Sequence, residues 1–333
     1  MTERLLLCLV LCGCSCEDTD PPSPDVVETD SAGTDVSEND ADEATDADSE
    51  GDLVLASPAT LTFDGAAEAS VQAIALSPDG GRAVASGWDG RIVVFDLDSG
   101  DATEIAEFGT GSLVMEDAMA WAGERIAVGR FEGLVLFDES GTEVATLDGR
   151  TSSVIAAGDD FIRVSRDAVE RIDASGAVSA TTPVVGGIDA VLAGSEVFVL
   201  REAEAEYTVA VYDATTLAEG RTLSIDARAL YGSSEGVLAG TVLDTTTLYS
   251  TDGSTLRTLA YDTIEDDPVG LSMVGPWTAV LGFAQGVALF DTATGALLGR
   301  AAGATGRGIA LDGTRRIVAG GAGGLLVYSI TRE

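Results

Sequence analysis

Residues 71–100, VQAIALSPDGGRAVASGWDGRIVVFDLDSG, decide the fold. Three runs of small and β-branched residues, Ala73 to Leu76, Arg82 to Gly87 and Arg91 to Leu97, are separated by turn chemistry. Ser77-Pro78-Asp79-Gly80 follows the first run, Asp89-Gly90 the second and Asp98-Ser99-Gly100 the third. Proline presets φ on entry to a turn, and glycine accepts the positive φ at which strands reverse. A fourth run, Ala102 to Phe108, completes an antiparallel meander of four strands. Such a sheet cannot bury both faces alone, so it needs copies of itself.

The chain supplies the copies from residue 53 onward. The end of each third strand is the marker: Val94-Phe95-Asp96, Leu136-Phe137-Asp138, Arg171-Ile172-Asp173, Val211-Tyr212-Asp213, Leu248-Tyr249-Ser250, Leu289-Phe290-Asp291 and Val327-Tyr328-Ser329. Successive final residues are 42, 35, 40, 37, 41 and 38 apart, close to the period of a four-stranded propeller blade. First strands recur as AIAL at 73, AMAW at 118, VIAA at 154, AVLA at 190, ALYG at 229, LSMV at 271 and GIAL at 308. Small residues dominate them, as crowding near a central axis requires. No stretch sustains a 3.6-residue apolar period, so helix is expected to be scarce. The seventh copy ends with too few residues for a fourth strand. The alternating run Ala59-Thr60-Leu61-Thr62-Phe63 is unassigned and β-prone, and is predicted to pair onto that copy and close the ring. The expected fold is all-β: a seven-bladed β-propeller of four-stranded antiparallel blades over residues 53–333, its last blade closed by the N-terminal strand.

Composition removes several function classes. The formal net charge is −38, with 56 acidic residues against 18 basic ones, all arginine, and no histidine. Nucleic-acid binding needs clustered cations that release counterions, so it is not expected. Electrostatic adhesion to anionic lipid is not expected either. All four cysteines, Cys8, Cys12, Cys14 and Cys16, precede the repeats. The repeats therefore hold no disulfide, thiolate zinc site, imidazole base or Ser-His-Asp triad. Without lysine there is no Schiff-base chemistry.

The amino terminus reads as an address. Leu5 to Leu11 is an apolar run of about ten residues, where a membrane-spanning helix needs roughly twenty, so residues 1–13 read as a signal peptide. Leu11-Cys12-Gly13-Cys14 resembles the lipobox of bacterial lipoproteins. That resemblance implies acylation of Cys14 as the first mature residue, and Ser15 after it implies sorting to the outer membrane. Residues 14–52 read as a lipidated tether. Glu17 to Asp52 contain fifteen acidic residues and no basic one, too little apolar surface to offset ordering entropy. Asp46 to Leu53 resembles the start of an EF-hand loop, but Ser57 stands where a bidentate Glu belongs. Calcium is thus a minor alternative, and no cofactor is expected.

The repeats resemble the WD40-type β-propeller group through Ser77-Pro78-Asp79-Gly80 and Phe95-Asp96. They lack its Gly-His dipeptides and most of its Trp-Asp dipeptides, and so its His–Asp network. Asp291-Thr292-Ala293-Thr294-Gly295 resembles the quinoprotein-type repeat. Propellers host enzymes, scaffolds and receptors alike, so sites must be argued from residues. Trp88, Phe131 and Phe283 occupy turns between second and third strands of blades one, two and six. With Arg130 and Arg166 they form a candidate partner-binding rim; the competing reading packs each ring between blades. Trp121 and Trp277 read as packing residues. Asp117, Asp189 and Asp266 near first strands are candidate metal-holding carboxylates for the competing reading of a lactonase-like propeller hydrolase with a divalent cation. The expected function is a monomeric, non-catalytic protein-interaction module of an outer-membrane lipoprotein, facing the periplasm or the cell surface. It touches the membrane through its lipid alone. A barrel-assembly scaffold like the quinoprotein-like lipoproteins is a third reading.

Overall fold

A computed structural model describes residues 53–332, apart from 64–69, 110–117, 204–205, 243–244, 260–267, 283–285 and 314. The described residues contain strands and turns and no helix. Six antiparallel sheets of four strands follow one another in chain order, over residues 71–107, 119–148, 153–183, 187–223, 229–259 and 268–301. These are blades one to six. Blade seven contains Ile309–Leu311, Arg316–Gly321 and Gly324–Arg332. The first strand of each blade lies beside the first strand of the next, and Ile309–Leu311 lies beside Val71–Leu76, so the seven blades form a closed ring.

N-terminal residues complete blade seven, and the completion has two parts. Ala59–Thr62 pairs antiparallel with Val327 to Gly324, as the alternating pattern predicts. Leu53–Leu55 pairs with Arg332 to Ile330 on the same strand. This second segment is too short to carry a strand pattern in sequence. Ser57 and Pro58 separate the two, and proline cannot donate to a ladder. Leu55 packs with Ile330 and Leu298, so the closing segment also reaches blade six.

The repeated marker has a packing reason. Side chains alternate across a strand with period two, so one position in every blade faces the same way. Phe95, Phe137, Ile172, Tyr212, Tyr249, Phe290 and Tyr328 each enter the apolar cluster shared with the preceding blade. All seven are buried, and each such burial stabilises the ring by roughly 1.5–3 kcal/mol. Trp121 is buried in the seam between blades one and two, and Trp277 packs on the seam between six and seven.

The Asp that follows this position caps a turn. Oδ1 of Asp138 accepts from the amides of Ser140 and Thr142, both at 2.9 Å, and from the Ser140 hydroxyl at 2.6 Å. Asp96, Asp173, Asp213 and Asp291 close the equivalent turns in the same way. Asp and Ser side chains mimic a backbone turn by such bonds.

In place of a His–Asp network, arginines latch neighbouring blades on this same face. Arg82 of blade one meets Glu139 of blade two at 2.7 Å and lies over the Trp121 ring. Arg125 donates to Ala174 O at 3.2 Å, Arg171 to Ala214 O at 2.5 Å and Arg221 to Thr251 O at 2.8 Å, each in the next blade. Arg316 of blade seven reaches blade one through Asp98 and Gly80 O, both at 2.8 Å. We call this the latch face. The opposite, entry face carries the turns between second and third strands and the blade-to-blade connections.

Candidate functional site

The ring encloses an axial cavity of about 270 Å³, lined by first strands of all seven blades. Gly232, Gly270 and Gly308 line it beside Met119, Leu271 and Met273, which also enter the apolar clusters between blades. The glycines sit where first strands of adjacent blades meet. A Cβ on Gly232 would lie 2.5 Å from Leu192 O, and one on Gly270 2.4 Å from Arg307 O. Close approach of neighbouring inner strands therefore excludes a side chain at these positions.

Asp189 is the one carboxylate of Asp117, Asp189 and Asp266 that lies within the described residues. It is 5% exposed. Its Oδ1 accepts from the Ala190 amide at 2.7 Å and its Oδ2 from the Leu230 amide at 2.9 Å, with Ser153 alongside. The carboxyl thus ties the first strands of blades three, four and five together. Burial pushes its pKa up to about 6, against the opposing pull of those donors. Among the described residues no group of three or more His, Cys, Asp or Glu side chains is placed to hold a metal ion. The calcium-like stretch and Cys14 lie outside the described residues, as does Phe283.

The other candidate residues lie on the entry face of blades one to three. Trp88 is 55% exposed and Phe131 43% exposed, so neither ring is a core residue. Arg130 turns inward: its guanidinium stacks 4.2 Å from the Phe108 ring centroid and pairs with Glu132 at 3.0 Å. Arg166 is exposed and faces Glu202 at 3.7 Å. Sequence reading missed Arg150, whose guanidinium stands 4.9 Å from the Phe131 ring centroid.

Backbone bonds brace these loops within their own blades, and the Arg130–Phe108 stacking links blade one to blade two. The Phe108 amide donates to Gly90 O in the Trp88 turn at 3.0 Å, and the Thr151 amide donates to Arg130 O at 3.0 Å. The Gly149 amide donates to Glu132 O at 3.1 Å. Arg163, 4% exposed, supports the next connection from beneath, donating to Asp148 O at 2.8 Å, to Gly149 O and to the Thr151 hydroxyl at 3.0 Å. Its charge meets Glu170 at 3.1 Å, and burial lowers its pKa despite that partner. The result is a braced surface that presents two exposed aromatic rings, one of them beside Arg150. Pre-ordered aromatic and arginine side chains are what protein interfaces favour as anchors.

No protein-family profile matches the chain, and no curated protein matches it. Solved structures do, 1503 chains of them, a breadth that speaks for the fold and against naming an activity from it. One is the crystal structure of BamB from Moraxella catarrhalis, with a TM-score of 0.57 at 13% sequence identity. The match covers 83% of this chain and 100% of that one.

Proposed function

We propose that this protein is a lipid-anchored outer-membrane protein whose propeller is a non-catalytic protein-docking module, used through the entry face of blades one to three. The observation that carries the reading is the exposure of Trp88 and Phe131 on loops braced by backbone bonds. Large apolar rings held in water on adjacent blades favour burial by a partner, and each anchor is worth about 2 kcal/mol or more on truncation. The fold shared with BamB is compatible with this reading. The lipobox-like Leu11-Cys12-Gly13-Cys14 supports the anchor.

The test is site-specific photo-crosslinking in intact membranes from positions 88 and 131, with position 234 on the latch face as control. Adducts are expected from the first two positions. The double variant Trp88→Ala, Phe131→Ala is expected to abolish partner capture while keeping the thermal midpoint. Equal adducts from position 234, or unfolding of the double variant, would sink the reading. Mass spectrometry of the extracted protein is expected to find lipid on Cys14, and an unlipidated mature terminus elsewhere would remove the anchor.

A further inference from the structure

We infer that the cleft between the Asp148–Thr151 connection and the Ser165–Asp167 turn is a carboxylate-binding subsite, which receives an acidic side chain of the docked segment. The inference rests on the docking reading above and deepens it.

The cleft has a volume of about 360 Å³ and is lined by Asp148, Gly149, Arg150, Arg163, Ser165, Arg166, Asp167 and Glu170. That is the low end of the roughly 300–1,000 Å³ typical of small-ligand pockets, so it suits one or two side chains and not a folded element. Both walls are built before any ligand arrives. Arg163 fixes the first wall through the carbonyls of Asp148 and Gly149. The second wall is fixed by the amides of Ala168 and Asp167, which donate to the Ser165 hydroxyl, and by the Gly186 amide, which donates to Arg166 O at 2.8 Å. A preformed site loses little order on binding.

Acidic residues outnumber arginines 56 to 18, and several arginines are held in ion pairs, Arg82–Glu139 at 2.7 Å and Arg316–Asp312 at 2.6 Å among them. Arg150 instead faces the Phe131 ring, and among the described residues no carboxylate lies within ion-pair distance of it. Arg166 has Glu202 only at 3.7 Å. Both guanidinium groups keep donors for a planar anion, which arginine holds by paired hydrogen bonds. The nearby acids select among anions. Glu170 is committed to Arg163, but Asp148 and Asp167 also line the cleft and repel a doubly charged phosphate more than a singly charged carboxylate. The Phe131 ring beside Arg150 favours an acidic residue next to an aromatic or aliphatic one.

Fluorescence anisotropy on the full chain tests this, with a dye-labelled octapeptide of alternating Glu and Phe as probe and its Gln/Phe counterpart as comparison. The Glu peptide is expected to bind about tenfold more tightly at low salt (about 1.4 kcal/mol) and to lose that advantage as salt screens it. Arg150→Gln with Arg166→Gln is expected to bring the Glu peptide to the level of the Gln peptide without lowering the thermal midpoint. Arg315→Gln on the latch face is expected to change nothing. A Glu preference that survives the double substitution, equal binding of the two peptides by the native chain, or displacement by inorganic phosphate at lower concentration than by acetate would each overturn the assignment. Loss of both peptides on Phe131→Ala, with no charge preference in the native chain, would remove the subsite and leave the docking face standing.

Discussion

The two faces of the ring come from one repeated blade, yet they use their charged residues differently. On the latch face, short turns are capped by Asp, and arginines donate to carbonyls of the next blade. On the entry face, the loops of blades one to three hold Trp88 and Phe131 in water and leave Arg150 facing a ring. Closing the ring constrains every turn at the seams, so the same side-chain solution recurs there. The entry-face loops differ from blade to blade, though Arg163 braces one of their connections in a similar way. Cations are scarce in this chain, and the entry face leaves Arg150 and Arg166 exposed.

The largest effect is expected at the closing strands. Deleting residues 53–62 strips the edge of Gly324–Arg332, exposing the ladder groups that Ala59–Thr62 satisfies and uncovering Leu326 and Val327. Calorimetry should find the single cooperative transition lost, or lowered by tens of degrees, with aggregation through the open edge. A truncated chain that melts within a few degrees of the full chain would show that closure stabilises little, and the latch face would lose its assigned role.

A smaller effect separates the two faces directly. Arg316 is 23% exposed at its side chain and serves Asp312, whose side chain is 0% exposed. Arg316→Ala should cost roughly 2–4 kcal/mol in urea unfolding, because a buried carboxylate loses its guanidinium. Arg150→Ala should stay within about 0.5 kcal/mol of the native chain, as exposed substitutions do. Equal losses from the two would erase the distinction between the faces.

The smallest effect is one of pH, and it has opposite signs on the latch face and in the channel. Hydroxyl and amide donors hold Asp96, Asp138, Asp173 and Asp213 below the usual carboxylate range, and Asp252 falls to about 2. Their contribution is complete above the unfolded value near 3.8 and is lost as pH falls from there toward about 2. Asp189 is raised, so its folded form binds the proton more tightly than the unfolded chain does. Its contribution is complete below 3.8 and is lost as pH rises from there to about 6. Thermal midpoints across pH 2–7 (roughly the span over which carboxylates titrate) should show Asp252→Asn flattening the acid limb. Asp189→Asn should flatten the limb between about 4 and 6. If neither limb changes, the hydrogen bonds and burial invoked for these groups carry no free energy.

The ring was legible because its marker repeats: an aromatic or bulky residue at one position in seven copies fills seven seams. The Asp after it was legible as punctuation, but not as a cap, because its partners lie up to four residues ahead in turns of varied sequence. The latches were invisible, since Arg171 and Ala214 meet only when two blades stand side by side. Leu53–Leu55 escaped because three residues cut off by Ser57 and Pro58 carry no alternation. At the site, Trp88 and Phe131 were picked out by turn chemistry that needs no tertiary knowledge. Arg150 was not, because nothing in Asp148-Gly149-Arg150 says that its guanidinium faces Phe131 across a neighbouring loop.

The pairing of Leu53 with Arg332 joins the first and last described strands of the propeller. A ribosome delivers the first partner long before the second. Until the seventh blade arrives, the leading strand has no sheet to join. Six blades can form in order as they emerge, since their strands pair with near neighbours in sequence. The final join spans the whole domain and carries the loop-closure entropy of that span. Folding of this protein is therefore completed only after its last strand is delivered. A chain interrupted before Gly324 leaves blade seven without the strand that both N-terminal segments pair with, and so with an open edge.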